Sequence, residues 1–195
     1  RDHLYYYRDV IFDVLDMAAS MYSEAVLRHH GPRHDPSGEG KGIQMTTENG
    51  AVNAIEDIRE AAPNTFMAFS VALAEAPTVN KAVKIAYKAM KIGADAIMCQ
   101  WSPKFIHAAT EAGVPVQAHA GLVPRRSTWT GGLRAVGKTL EEASWIYSQI
   151  KEFEKAGAYA VEVEVIPEEI LYEITKRTSL LTSSIGAGSG GDIQF

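Results

Sequence analysis

Cysteine is nearly absent: Cys99 is the only one in 195 residues. A lone thiol rules out a disulfide framework and a cysteine-built metal cage, and it suits a reducing cytoplasm. No apolar run approaches the roughly 20 residues that cross a bilayer, and the N-terminal segment has no signal-type pattern. No membrane partner is therefore expected, and a cytoplasmic location is. Positive charge is also scarce, with 19 Lys and Arg against 24 Asp and Glu and a net charge of −5. Nucleic acid is not expected as a partner, because neutralising phosphates needs a basic face. No GxGxxG follows the first predicted strand, which counts against a dinucleotide fold. What the chain does have is 46% hydrophobic content, enough for the core of one domain.

Along the chain, residues 1–29 carry Leu4, Ile11, Leu15, Ala18, Tyr22 and Val26 at helical spacing. Tyr5, Tyr6 and Tyr7 suit packing or an oligomer contact better than a site. Residues 29–41, HHGPRHDPSGEGK, have no periodicity and predict a mobile loop; its His29, His30 and His34 read as solvated rather than as a ligand set. Thr46 or Thr47 caps a helix predicted to run to Ala61.

Strand and helix then alternate. Residues 66–73, 96–101, 114–118, 159–165 and 180–185 are short, nearly continuous apolar runs that suit parallel strands covered by helices. Residues 78–92, 103–112, 140–156 and 167–177 have helical patterns, and Gly follows several of them (KIGADA, EAGVPV, KAGAYA). This order predicts a parallel α/β architecture, and its spacing favours a (βα)8 TIM-type barrel over a doubly wound sheet. Five strands are clear, so the barrel is incomplete in this count. Eight would need one or two more from the N-terminal quarter and one beginning near Ile193. The domain reading is a single barrel domain over 1–195. Within it, 1–45 form an N-terminal helix plus mobile loop and 46–195 form the βα units.

In such a barrel, polar residues at strand C-termini face the site. His119, in the loop predicted after 114–118, is one candidate. Glu162 and Glu164 share a face of the strand YAVEVEV by its two-residue period. Buried carboxylates are costly unless paired or used. Glu164, next to the Ile166-Pro167 strand end, is read as a general base, with a buried structural ion pair as the alternative. Glu162, about 7 Å deeper, is expected to be a structural partner of an Arg or Lys. Gly186, Gly188, Gly190 and Gly191 follow the last strand, either presenting N–H groups to an anion or forming a flexible tail.

An ordered series of segments carries a resemblance: APN at 62–64, GADA at 93–96, EAGVPV followed by HAGLVP, GGLRAVGKT, KAGAYAVEVEVIPEE and SIGAG. From about Thr46 onward the chain resembles the ketopantoate hydroxymethyltransferase family, in the phosphoenolpyruvate mutase and isocitrate lyase superfamily. The resemblance implies a (βα)8 enzyme forming large homo-oligomers. Such an enzyme transfers a hydroxymethyl group from methylenetetrahydrofolate to a branched 2-oxo acid, a small-molecule carboxylate, with Mg²⁺ holding the oxo acid. It implies Glu164 as the catalytic acid/base and His119 as a substrate ligand. Ser70 stands where the family has a metal-binding Asp, and Met98 and Gln100 where it has a Lys and a Glu. The family's GDS segment, another source of a metal-binding Asp, has no counterpart before Thr46. A hard cation prefers carboxylate oxygens, so metal binding of the family type is expected to be lost or weakened and no metal ligands are assigned. Ser70, Gln100 and Arg125 join His119 as candidate substrate contacts. VPRRS replaces the family's TPQS, so Arg125 or Arg126 either supplies the charge the metal gave or is a surface or interface arginine. A non-catalytic paralogue serving as a binding or assembly component is the alternative function, and superfamily lyase chemistry a lesser one.

Overall fold

The computed structural model describes residues 59–60, 63–64, 66–71 and 75–194. The helix expected in 1–29, the loop at 29–41 and most of the helix ending at Ala61 lie outside the described residues. So do Tyr5–Tyr7 and the three loop histidines. The described residues fall into two compact units, one holding those up to Phe69 together with Ala89–Asp95, the other holding those from Ser70 to Lys88 and from Ala96 onward. In the first unit, the Asp95 carboxylate accepts from Arg59 Nη2 at 2.5 Å and from the Met67 N–H at 2.8 Å.

Six strands form one sheet: β1 (Ala68–Val71), β2 (Ala96–Cys99), β3 (Val116–Gly121), β4 (Ala160–Glu164), β5 (Leu181–Ile185) and β6 (Ile193–Gln194). Their order in the sheet is their order in the chain, and β2 through β6 pair in parallel. A doubly wound sheet reverses its order at a switch point. An unreversed order with right-handed crossovers keeps every helix on one side, which is the wall of a barrel. All five strands expected from sequence are present, and the sixth begins at Ile193, where a further strand was expected.

Helices α1 (Val79–Lys91), α2 (Pro103–Glu111), α3 (Leu140–Lys155) and α4 (Glu168–Thr175) fall within the expected segments. Thr139 caps α3, its hydroxyl oxygen accepting the Glu142 N–H at 3.2 Å. Ile146, Ile150 and Phe153 of α3 are buried at three- and four-residue spacing. Each such side chain contributes about 1.5–3 kcal/mol by leaving water. The Thr182 hydroxyl meets that of Thr175 on α4 at 2.9 Å, which identifies the helix-covered face of β5. Ala118 and Val161 share that face, because the register aligns Ala118 with Val161 and Val161 with Thr182. By alternation, His119, Glu162 and Ser183 point to the opposite face.

Candidate active site

One difference from the sequence reading decides the geometry. His119 was expected in the loop after a strand ending at Ala118, but β3 continues through it to Gly121, each residue paired with β4 as far as Gly121 opposite Glu164. The imidazole is therefore fixed by a strand. The backbone pairing extends beyond β3, with the Leu122 N–H donating to the Glu164 carbonyl at 2.8 Å.

His119 sits between two carboxylates. Its Nε2 is 3.0 Å from Glu164 Oε2 and 3.1 Å from the Leu122 carbonyl oxygen, and its Nδ1 is 3.4 Å from Glu162 Oε2. The three side chains are 4%, 18% and 9% exposed for His119, Glu164 and Glu162, so Glu164 is the one open to an incoming molecule. Burial by itself would lower the His119 pKa. The Glu164 hydrogen bond outweighs it, together with the charges of Glu162 and Glu164 and the Leu122 carbonyl, and holds the imidazole above its usual range. Burial pushes the Glu162 carboxyl up, with the charge of Glu164 adding to that and His119 opposing it. The expected Arg or Lys partner of Glu162 is thus replaced by His119. Charge pairing was foreseen, but the neighbouring strand supplies a histidine for it.

The other candidates lie on β1, just past β2 and in the turn that follows β3. Ser70 is exposed on β1. Gln100 is half-buried just past β2, and its side-chain Oε1 is buried without a hydrogen-bond partner. Residues Pro124–Thr130 form a 3-10 turn that no sequence signal had marked. In it Arg125 is exposed, while Arg126 donates to the Gln100 carbonyl at 2.7 Å and stacks over Trp129 at 5.8 Å. Arg126 is thereby tied to the backbone just past β2.

Two of the features nearby carry no sequence signal, and a third bears on the glycine-rich segment. Ser183 lies level with Glu162, its hydroxyl buried and unpartnered. Val165, just after Glu164, has φ +50°, an outlier for a β-branched residue, held by its N–H donating to Ile185 and its carbonyl accepting from Val136. The glycine-rich segment binds an internal anion, since Glu168 Oε1 accepts from the Ser189 N–H at 2.9 Å and from its hydroxyl at 2.5 Å. The anion met by this segment is thus a side chain of α4, held by one backbone N–H and one hydroxyl.

A family model described as ketopantoate hydroxymethyltransferase matches residues 37–195. The chain belongs to that family. It is 33% identical over 150 residues to the 3-methyl-2-oxobutanoate hydroxymethyltransferase of Thermotoga maritima, covering 75% of this chain and 55% of that protein. It is 34% identical over 140 residues to the Thermus thermophilus enzyme of the same name, covering 70% and 54%. The chain thus spans about half the length of these relatives. Among solved structures, a putative phosphonomutase from Burkholderia cenocepacia is similar in fold, with TM-score 0.56 and 14% identity over 68% of this chain and 58% of that one. A phosphonopyruvate hydrolase gives TM-score 0.53 at 12% identity, covering 72% and 52%. At these identities the likeness shows the barrel fold alone.

Family membership implies Mg²⁺, and the described residues do not fit it. No group of three His, Cys, Asp or Glu side chains among them is placed to hold a metal ion. Glu162 and Glu164 are both turned onto His119, and Ser70 and Gln100 offer a hydroxyl and an amide where a hard cation takes carboxylates. No described helix is long and apolar enough to cross a membrane.

Proposed function

We propose that this chain is the acid/base part of a divergent hydroxymethyltransferase-like enzyme, binding a 2-oxo acid and forming its enolate. The observation that carries this reading is the 3.0 Å contact between Glu164, partly open at a strand C-terminus, and the buried His119. Glu164 takes the proton from the carbon beside the carbonyl. That C–H bond breaks, its electron pair forms the C=C bond of the enolate, and negative charge moves to the oxygen. A donor must meet that charge, and a His119 N–H is suited to do so. The nucleophilic carbon then bonds to a one-carbon unit, whose carbon–nitrogen bond to its carrier breaks with the electron pair leaving on that nitrogen while water supplies the hydroxyl group of the product. Methylenetetrahydrofolate is the co-substrate that family membership implies for this step, and no described residue is assigned to it. Gln100, Ser70 and Arg125 complete the proposed substrate contacts. Homo-oligomerisation belongs to the same reading, and the exposed Trp129, Leu133, Leu140 and Trp145 offer apolar surface for it.

Enolate formation is testable without folate. In D₂O, 3-methyl-2-oxobutanoate should exchange its C3 proton, followed by NMR, faster with the protein than without. Glu164→Gln should slow the exchange by about 10²-fold or more. A second reading, a non-catalytic binding or assembly component, is favoured by Ser70 and Gln100, which lack the charge of the family's residues. It predicts no exchange with any 2-oxo acid and no rise in melting temperature when the acid is added.

A further inference from the structure

Glu162 has no part in that chemistry, yet it is among the costliest side chains in the chain to bury. It is 7% exposed and lies one pleat deeper than Glu164. A buried carboxylate without compensation is strongly destabilising, and the charge beside this one is on the ring of His119. The register makes His119, Glu162 and Ser183 a polar row at one level across β3, β4 and β5. We propose that Glu162 is a positioning residue, its carboxylate facing Nδ1 so that His119 is held as the doubly protonated imidazolium, with Nε2–H directed to Glu164 and to the oxygen of a bound 2-oxo acid. The inference rests on the reading of Glu164 and His119 given above.

With a neutral imidazole the cluster would place two like charges on one strand face around an uncharged ring. With the imidazolium, Nε2–H has Glu164 and the Leu122 carbonyl as acceptors, Nδ1–H faces the Glu162 charge at 3.4 Å without a hydrogen bond, and the cluster's net charge falls from −2 to −1. Two ring nitrogens facing two different carboxylates leave no free acceptor on the imidazole, so it serves as a donor. The groups facing it are Glu162 and Glu164 on β4, the Leu122 carbonyl at the exit of β3 and, in the same row, the Ser183 hydroxyl. The raised pKa of His119 agrees with this arrangement. A cationic donor here also supplies positive charge where the described residues lack the carboxylates for Mg²⁺.

The test is an NMR titration of the histidine Cε1–H signals in the full chain, with His119→Asn identifying the resonance. In Glu162→Gln, the His119 midpoint should fall while the other histidines stay in place. Glu162→Asp should give an intermediate midpoint, because the charge is kept but withdrawn by one methylene. An unchanged midpoint in the folded Gln variant overturns the proposal. If that variant does not fold, the Asp variant decides by the same criterion. Calorimetry with 3-methyl-2-oxobutanoate at pH 7 should give binding about tenfold weaker in Glu162→Gln. The difference should shrink once the pH falls below the variant's midpoint. If the unaltered chain binds no 2-oxo acid, the functional reading fails while the titration still decides the role of Glu162.

Discussion

Gly121 lies directly against the backbone of Glu164: a Cβ at position 121 would sit 2.3 Å from the Glu164 carbonyl oxygen and 3.1 Å from its nitrogen. Gly121 also has φ +81°, where other residues are strained. The base and the end of the histidine strand are thus held together by the absence of a side chain. Gly121→Ala adds a backbone clash to left-handed strain of about 1–2 kcal/mol. The expected loss of stability is roughly 3 kcal/mol, measured by urea denaturation. Because the displaced group is the Glu164 backbone, proton exchange from the 2-oxo acid should fall even where the variant remains folded.

Much of this was legible in the sequence. The alternation of apolar runs with 3.6-residue periodicity predicts the order of strands and helices seen among the described residues. Glu162 and Glu164 were placed on one face by the two-residue period alone. The strand that carries His119 runs three residues further than its sequence pattern predicts. HAG reads as a loop because Gly121 suggests a turn, whereas its pairing with Glu164 is non-local and carries no sequence signal. The same holds for the partner of Glu162 and for the level of Ser183, which depend on register between strands some 20 to 40 positions apart. The positive φ of Val165 is imposed by hydrogen bonds to Ile185 and Val136, and nothing in a β-branched residue advertises it.

Stability should fall as pH rises above neutrality. The His119 pKa is raised in the folded state, so its stabilising effect is complete below the unfolded value of 6.5 and is lost as pH climbs through the higher folded value. The raised Glu162 carboxyl acts in the same direction, starting from 4.5. Urea midpoints between pH 6 and 9 should decline, and His119→Asn should flatten the curve. A midpoint that climbs across this window would contradict the buried His–Glu pairing.

Acid should destabilise the fold from the other side. Burial alone would raise the pKa of Glu154. Hydrogen bonds from Lys151 and from the Ser179 hydroxyl and N–H overcome this and lower it from 4.5 to about 2. The sign is opposite to that of His119: this contribution is present above pH 4.5 and is lost as pH falls toward 2. Glu154→Gln should reduce stability at pH 6 and weaken the acid dependence, read from melting temperatures at pH 3, 4 and 6.

Removing the cap of α3 should have a separable, local cost. Thr139 and Glu142 hold the first turn, Thr139 accepting the Glu142 N–H while Glu142 Oε2 accepts the Lys138 N–H at 3.1 Å. Thr139→Ala should cost about 1 kcal/mol in urea denaturation and leave the His119 titration unmoved, because α3 supplies none of the groups around the imidazole. Thr139→Ser, which keeps the acceptor oxygen, should recover most of the loss.

Cys99 offers a direct reading of how firmly β2 is held. Its thiol is 1% exposed, and burial pushes its pKa up to about 12, a backbone hydrogen bond from Trp101 only partly opposing this. The thiolate is the reactive form, and at pH 8 a thiol of that pKa is ionised in only about one molecule in ten thousand. With a single cysteine in the chain, an aromatic disulfide reagent should report no modification of the native protein at pH 8 and one equivalent once denaturant is added. The residual native rate then measures opening of β2, the strand that leads into Gln100. If opening is confined to that strand, added 3-methyl-2-oxobutanoate should slow labelling only when Gln100 contacts the ligand, and Gln100→Ala should remove that protection while leaving the labelling rate of the free protein unchanged.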